Sequence, residues 1–216
     1  MFKANEVGHV LLAIVVFGLV VSFESLFRTD FSVGFLAFLW ALLLGAVVIL
    51  VNVVTKKVVA YILDSEVELK TWTWQRYWYH ERSYLKKPMP LGFILPLILS
   101  IITLGYVKFL AFLEYDMYAS KSRASKRIGH VRYSELTETH VGAVGGFGIL
   151  ANLVLSLVAY FLGFGEVARL SMYYAFANIL PLGKLDGVKI FFGSRVAWFV
   201  LAIVSAIGLV LSLSVV

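Results

Sequence analysis

The chain has 216 residues, of which 61% are hydrophobic and only 15% charged, and its mean hydropathy is +0.89, whereas about a quarter of the residues of a soluble domain carry charge. That balance excludes an ordinary water-soluble domain and predicts a multi-pass integral protein of the cell membrane, in contact with lipid. A net charge of +6 fits basic loops beside anionic lipid. The basic residues are interleaved with acids instead of forming a stripe, so nucleic acid is not an expected partner. The lack of cysteine excludes disulfides and thiolate metal sites.

A segment of about 20 apolar residues is needed to cross a hydrocarbon core of roughly 30 Å. Six such segments are predicted, near 7–27, 32–54, 91–113, 141–163, 168–182 and 195–215, all in one membrane domain covering 1–216. The expected fold class is an all-α membrane bundle with a small β-hairpin in the loop after the second span. The first span starts in "NEVGH", residues 5–9, which lacks only the first histidine of H-E-x-x-H. In that motif two histidines one turn apart hold zinc and the glutamate activates water. Asn5 is a poor zinc ligand, so the stretch reads as a polar helix start with Glu6 in the first turn, where the helix dipole favours it. The apolar run is longer than a signal-peptide core, and no small-x-small cleavage site follows before "ESLFRTD", so it is read as a retained span.

The second span runs without a charge from Phe31 until "VILVNVVTKKVVAY", residues 48–61, introduces Asn52, Thr55, Lys56 and Lys57. Lysines here either mark the end of the span and snorkel to the interface, or sit inside and pair. Snorkelling is the expectation for Lys57; for Lys56, on the same helical face as Asn52, both readings stay open.

A first polar excursion, 55–90, contains "EVELKTWTWQRYWYHERSY". Val67, Leu69, Thr71 and Thr73 alternate with Glu66, Glu68, Lys70 and Trp72, the period of two that marks a strand. Trp72, Trp74, Tyr77, Trp78 and Tyr79 resemble an interfacial aromatic belt facing lipid. The stretch is read as a hairpin at headgroup level, or as an edge strand that pairs with an extended partner segment through Val67, Leu69 and Thr71.

The second excursion, 115–140, sets Lys121, Arg123, Lys126, Arg127 and Arg132 against Asp116, Glu135 and Glu138. If all six segments cross, the two excursions lie on opposite sides, and their similar basic content leaves the orientation open. The fifth segment, "ARLSMYYAFANILPL", is short and contains Asn178 and Pro181. Broken segments are tolerated in a membrane only where protein or a water-filled cavity surrounds them, which makes this one a functional element. His9, His80, His130 and His140 are isolated in sequence and read as loop or interface residues.

"FANILPLGKLDGVKIF", 176–191, resembles the "NxxPxxxLDG" signature of the site-2 protease family of intramembrane zinc metalloproteases, with Asn178, Pro181, Leu185, Asp186 and Gly187 in register. "GFGILANLVLSL", 146–157, is similar to that family's "AGPLTNLVLAL" helix, matching Gly148, Leu150 and Asn152, with Ile149 in place of the proline. "LVNVVTKKVVA", 50–60, falls where archaeal-type members carry "LLHELAHKFVA". Asn52 then stands at the first zinc histidine, Val53 at the catalytic glutamate and Lys56 at the second histidine.

What the resemblance implies is a site-2-protease-like core whose catalytic residues are lost. Proteolysis by this route needs a metal to acidify water and a base to take the proton. Valine is no base, a protonated lysine repels a dication, and Asp186 alone falls short of the roughly three protein ligands of a catalytic zinc. The implied protein is a pseudoprotease without a cofactor. It would bind or retain a single-span membrane partner in a former substrate cleft built from Asn52, Lys56, Gly148, Asn152, Asn178, Pro181, Asp186 and Gly187. A Lys56–Asp186 ion pair is expected to fill the vacated metal position. Other readings are a working zinc protease with an unconventional ligand set, such as His9 with Asp186, and a transporter or structural subunit of a membrane complex. By itself, Asp186-Gly187 also fits a plain turn at a membrane edge.

Overall fold

The computed structural model describes residues 3–28, 30–76, 84–120, 127–128, 131–132 and 136–215. In chain order the elements are α1 (Ala4–Arg28), α2 (Phe31–Ile62), β1 (Ser65–Thr71), β2 (Trp74–Arg76), β3 (Tyr84–Met89), α3 (Leu91–Ile102), β4 (Leu113–Ala119), β5 (Arg127–Ile128), β6 (Val131–Arg132), α4 (Glu138–Phe161), α5 (Gly165–Ile179), α6 (Asp186–Gly193) and α7 (Arg195–Val215). The fold is mostly helical with small sheets. Among the described residues, four helical stretches are long and apolar enough to cross a membrane: Asn5–Phe27, Phe31–Ile62, Glu138–Phe161 and Arg195–Ser214.

The third predicted segment is shorter than expected, and the fifth is as short as its sequence suggests. Instead of a span over 91–113, the helix α3 covers 12 residues, about 18 Å at 1.5 Å per residue, and then stops. Thr103 turns its hydroxyl back onto the Leu99 carbonyl, and Leu104 and Gly105 take positive φ angles of 51° and 86°, which no helix can follow. In the fifth segment, α5 has 15 residues and ends at Ile179, before Pro181.

The shortness of α3 changes the topology. Strand β1 does not fold back on its neighbour; it pairs antiparallel with β4, with Val67 opposite Met117 and Leu69 opposite Tyr115. A hairpin does follow the second span, but it is made by β2 and β3. Because β1 comes from the first polar excursion and β4 from the second, the two excursions meet here, whereas crossing by all six segments would put them on opposite sides. Hydrogen-bonded strands cannot be separated by a bilayer.

Side chains of β1 alternate as the sequence predicts, with Val67, Leu69 and Thr71 buried and Glu66 exposed. Trp72 does not face lipid: it is 2% exposed and packs beside Phe109. Trp74 is half-buried against Gly183. Tyr77, Trp78, Tyr79, His80, Lys121, Arg123, Lys126, His130 and Glu135 lie outside the described residues.

Helices α1 and α2 cross closely. A Cβ at Gly45 would meet Phe17 Cδ1 at 2.5 Å, and one at Gly18 would meet Leu42 Cδ2 at 2.8 Å. Small residues at such crossings let helix backbones approach, which drives association in lipid. The core formed by Phe17, Val20, Val48, Ile49 and Val53 continues onto Leu69, Phe112 and Tyr115 of the β1–β4 region.

Candidate functional site

Helix α2 carries a buried stripe of Ala41, Leu44, Gly45, Val48, Ile49, Asn52, Val53, Lys56 and Ala60. The recurrence every three or four residues is one face of a helix, and the polar residues lie within that stripe. The helix continues to Ile62, so Asn52 and Lys56 are inside it and not at its end.

Lys56 extends to Asp186, with Nζ 2.6 Å from Oδ2 and side chains 1% and 0% exposed. Among the described residues neither Asp186 oxygen accepts a hydrogen bond of ordinary geometry, so the contact is an ion pair held by charge and proximity. Asp186 opens α6, where the helix dipole favours a carboxylate.

Two glycines make this contact possible. Gly187 lies against the end of α5, where a Cβ would fall inside the Ile179 carbonyl; only glycine lets α6 begin there. A Cβ at Gly148 of α4 would sit 2.8 Å from Lys56 Cε and 3.1 Å from Asn52 Nδ2. The sequence Asp186-Gly187 is therefore a buried helix start, not an exposed turn.

Asn152, one turn beyond Gly148, is 0% exposed, and its backbone carbonyl accepts from Ser171 Oγ of α5 at 2.9 Å. The side-chain nitrogen and oxygen of both Asn52 and Asn152 have no hydrogen-bond partner among the described residues. Buried orphans of this kind mark a place where water or a ligand group completes the bonding. Asn178 plays a different part, since its Nδ2 donates to Tyr174 O at 2.8 Å and to Leu110 O at 3.3 Å. It thereby satisfies a carbonyl of the buried irregular segment before β4, as nonhelical backbone in a membrane protein requires. Pro181 is exposed in the turn between α5 and α6.

Sequence reasoning misses Tyr115 and Lys189. Lys189, one turn after Asp186, donates to the backbone carbonyl of Tyr115 and places Nζ 3.6 Å from the centre of that ring. Lys56 Nζ lies 5.0 Å from the same centre, so two ammonium groups approach one ring, whose electron-rich face favours a cation. The i,i+3 spacing of Asp186 and Lys189 is visible in the sequence; the arrival of Tyr115 from β4 is not. Tyr115 donates its hydroxyl to Val141 O at 2.7 Å.

The donor set does not fit zinc. The one carboxylate at this centre already contacts an ammonium, and among the described residues no three His, Cys, Asp or Glu side chains gather into a metal-binding group. His9 is engaged elsewhere, with Nδ1 2.9 Å from Thr71 Oγ1. The backbone N–H of His140 donates to Thr137 Oγ1 at the start of α4.

Lys57 is paired at the N-terminal end of α1. Its Nζ lies 2.8 Å from both oxygens of Glu6 and 2.6 Å from the Val67 carbonyl. Glu6 also accepts from the backbone N–H of Leu69 at 3.1 Å and of Lys3 at 3.0 Å. The helix start at "NEVGH" therefore reaches the strand. Nearby, Glu114 is buried, bonded by the N–H and hydroxyl of Thr73 at 3.2 and 3.3 Å; burial pushes its carboxyl above the usual range. Lys70, paired with Asp116 at 3.1 Å, is held above the ordinary lysine value by that bond.

Comparison of the chain with family models, with curated proteins and with solved structures finds no match.

Proposed function

We propose that the chain is a multi-pass protein of the cell membrane with a site-2-protease-like core, in which an ion pair stands in place of a catalytic metal. It has no catalytic role and retains a membrane-spanning partner. The observation that carries this reading is the Lys56–Asp186 contact of 2.6 Å between side chains 1% and 0% exposed. An ammonium on the carboxylate removes the charge that a dication would need, and the adjoining Val53 supplies no base. The unpartnered amides of Asn52 and Asn152 leave polar groups at the centre that a partner's peptide group or water can satisfy.

The reading is tested by metal content and its engineering. Full-length chain purified in detergent is expected to carry far less than one zinc per molecule, and the combined change Asn52→His, Val53→Glu and Lys56→His is expected to introduce stoichiometric zinc. Tight zinc in the unmodified chain that disappears in Asp186→Asn would overturn the reading.

A further inference from the structure

The end of the bundle away from the Lys56–Asp186 centre holds two cations whose bonding the fold leaves incomplete. Helix α3 stops at Ile102, and the chain turns back at Leu104 and Gly105. A Cβ at Gly105 would lie 3.1 Å from Glu24 Cβ, so this turn sits about 6 Å short of the end of α1 at Arg28. By Phe109 the chain has returned to Trp72. Trp40 of α2, about 24 Å along the helix from Lys56, donates its indole N–H to Glu166 Oε2 at 2.6 Å. That bond fixes the start of α5 at the same far level as the turn.

Lys108 follows the turn, and Arg169 stands one helical turn after Glu166. The two cations are within electrostatic reach of each other, with Glu24 and Glu166 as the neighbouring acids. Among the described residues neither cation makes a hydrogen bond or an ion pair, and Arg169 Nε is shut away from solvent without an acceptor. A buried N–H in that position costs free energy until an acceptor arrives. Two like charges side by side repel, and an anion between them replaces the repulsion with attraction. A guanidinium fork matches the oxygens of a phosphate, and an ammonium adds a compact charge.

The surroundings indicate which phosphate. Leu104 and Tyr106 flank the turn, and Phe161, Leu162 and Phe164 join α4 to α5; all five are exposed. A free phosphate gains nothing from an apolar rim, whereas the acyl chains of a phospholipid bury surface against it.

We propose that Lys108 and Arg169 form a site for the phosphate headgroup of an anionic phospholipid, held between the turn after α3 and the start of α5. The site is independent of the Lys56–Asp186 centre, and the bound lipid ties the returning segment to α5.

The test uses full-length chain in detergent with three separate probes: short-chain phosphatidylglycerol, phosphatidylcholine with the same chains, and inorganic phosphate. Binding is read from the rise of the unfolding temperature with probe concentration. Phosphatidylglycerol is expected to bind at least about tenfold more tightly than phosphatidylcholine, and Lys108→Gln combined with Arg169→Gln to abolish the difference. Equal binding of the two lipids, or a preference that survives in the double variant, would overturn the site. Inorganic phosphate as effective as phosphatidylglycerol at equal concentration would overturn the lipid as its occupant. Should the double variant not fold, a second measurement leaves both cations in place. The chain has no cysteine, so Ile102→Cys at the exposed end of α3 carries a single fluorophore. In reconstituted vesicles, brominated phosphatidylglycerol is expected to quench it at a lower mole fraction than brominated phosphatidylcholine, and equal quenching counts against the site.

Discussion

Two adjacent lysines of α2 have opposite surroundings. Lys56 points into the helix bundle and meets Asp186 with both side chains essentially dry. Lys57, rotated by about 100° on the helix, meets Glu6 at the rim of an open cleft and keeps part of its side chain exposed. Both pair with acids far away in sequence, yet their energetic positions differ. A dry pair is bound to its partner because either charge alone would be stranded. A pair at a cleft has water as an alternative, so it can open. The first arrangement suits a permanent part of the architecture and the second a contact that can open.

The largest effect that would break this contrast lies at the dry pair. Lys56→Met or Asp186→Leu alone is expected to cost about 3–5 kcal/mol, whereas the two together are expected to be near neutral. A double-mutant cycle on thermal unfolding in detergent reads the coupling. Additive losses would mean that Asp186 is compensated elsewhere, Lys189, one helical turn on, being a candidate cation. Next comes Gly187→Ala, which forces the start of α6 off the end of α5 and is expected to cost about 3 kcal/mol. It should do so without altering hydrogen exchange at Leu69, because the cleft pair does not depend on α6.

Lys57→Met is expected to be milder than Lys56→Met, at about 1.5–3 kcal/mol for charge-assisted bonds lost where water can enter. Equal costs for the two lysines, measured by the same unfolding assay, would erase the distinction. The smallest effect is a pH dependence at Glu114, a buried acid with Lys184 4.0 Å away. Its folded pKa is raised above 4.5, chiefly by burial. Below about pH 4 both states hold the proton; as pH rises past the ordinary value the unfolded chain releases it first, so stability falls until the folded value is passed. Glu114→Gln is expected to unfold a few degrees higher at pH 7 and no higher at pH 4.

What the sequence determines by itself is local and periodic. The long apolar runs specify the four membrane-length helices, since a backbone in hydrocarbon must satisfy its own hydrogen bonds. The alternation at 65–71 specifies a strand with Val67, Leu69 and Thr71 on one face, and the spacing of Asn52 and Lys56 puts both on one side of α2. Lys56 and Asp186, expected to pair, are in contact in the structure. Tertiary structure decides the rest. Apolarity over 91–113 reads as a span, but burial by protein satisfies an apolar loop as well as lipid does, and α3 ends at Ile102. The partner of β1 could not be read because a strand's period says which face is buried and nothing about which distant segment supplies its bonds. Likewise Lys57 looks like any lysine at a membrane edge until α1 brings Glu6, 51 residues earlier, to within 2.8 Å. A charge declares its need for a partner in the sequence; only the packing of the helices chooses the partner and decides whether water can compete for it.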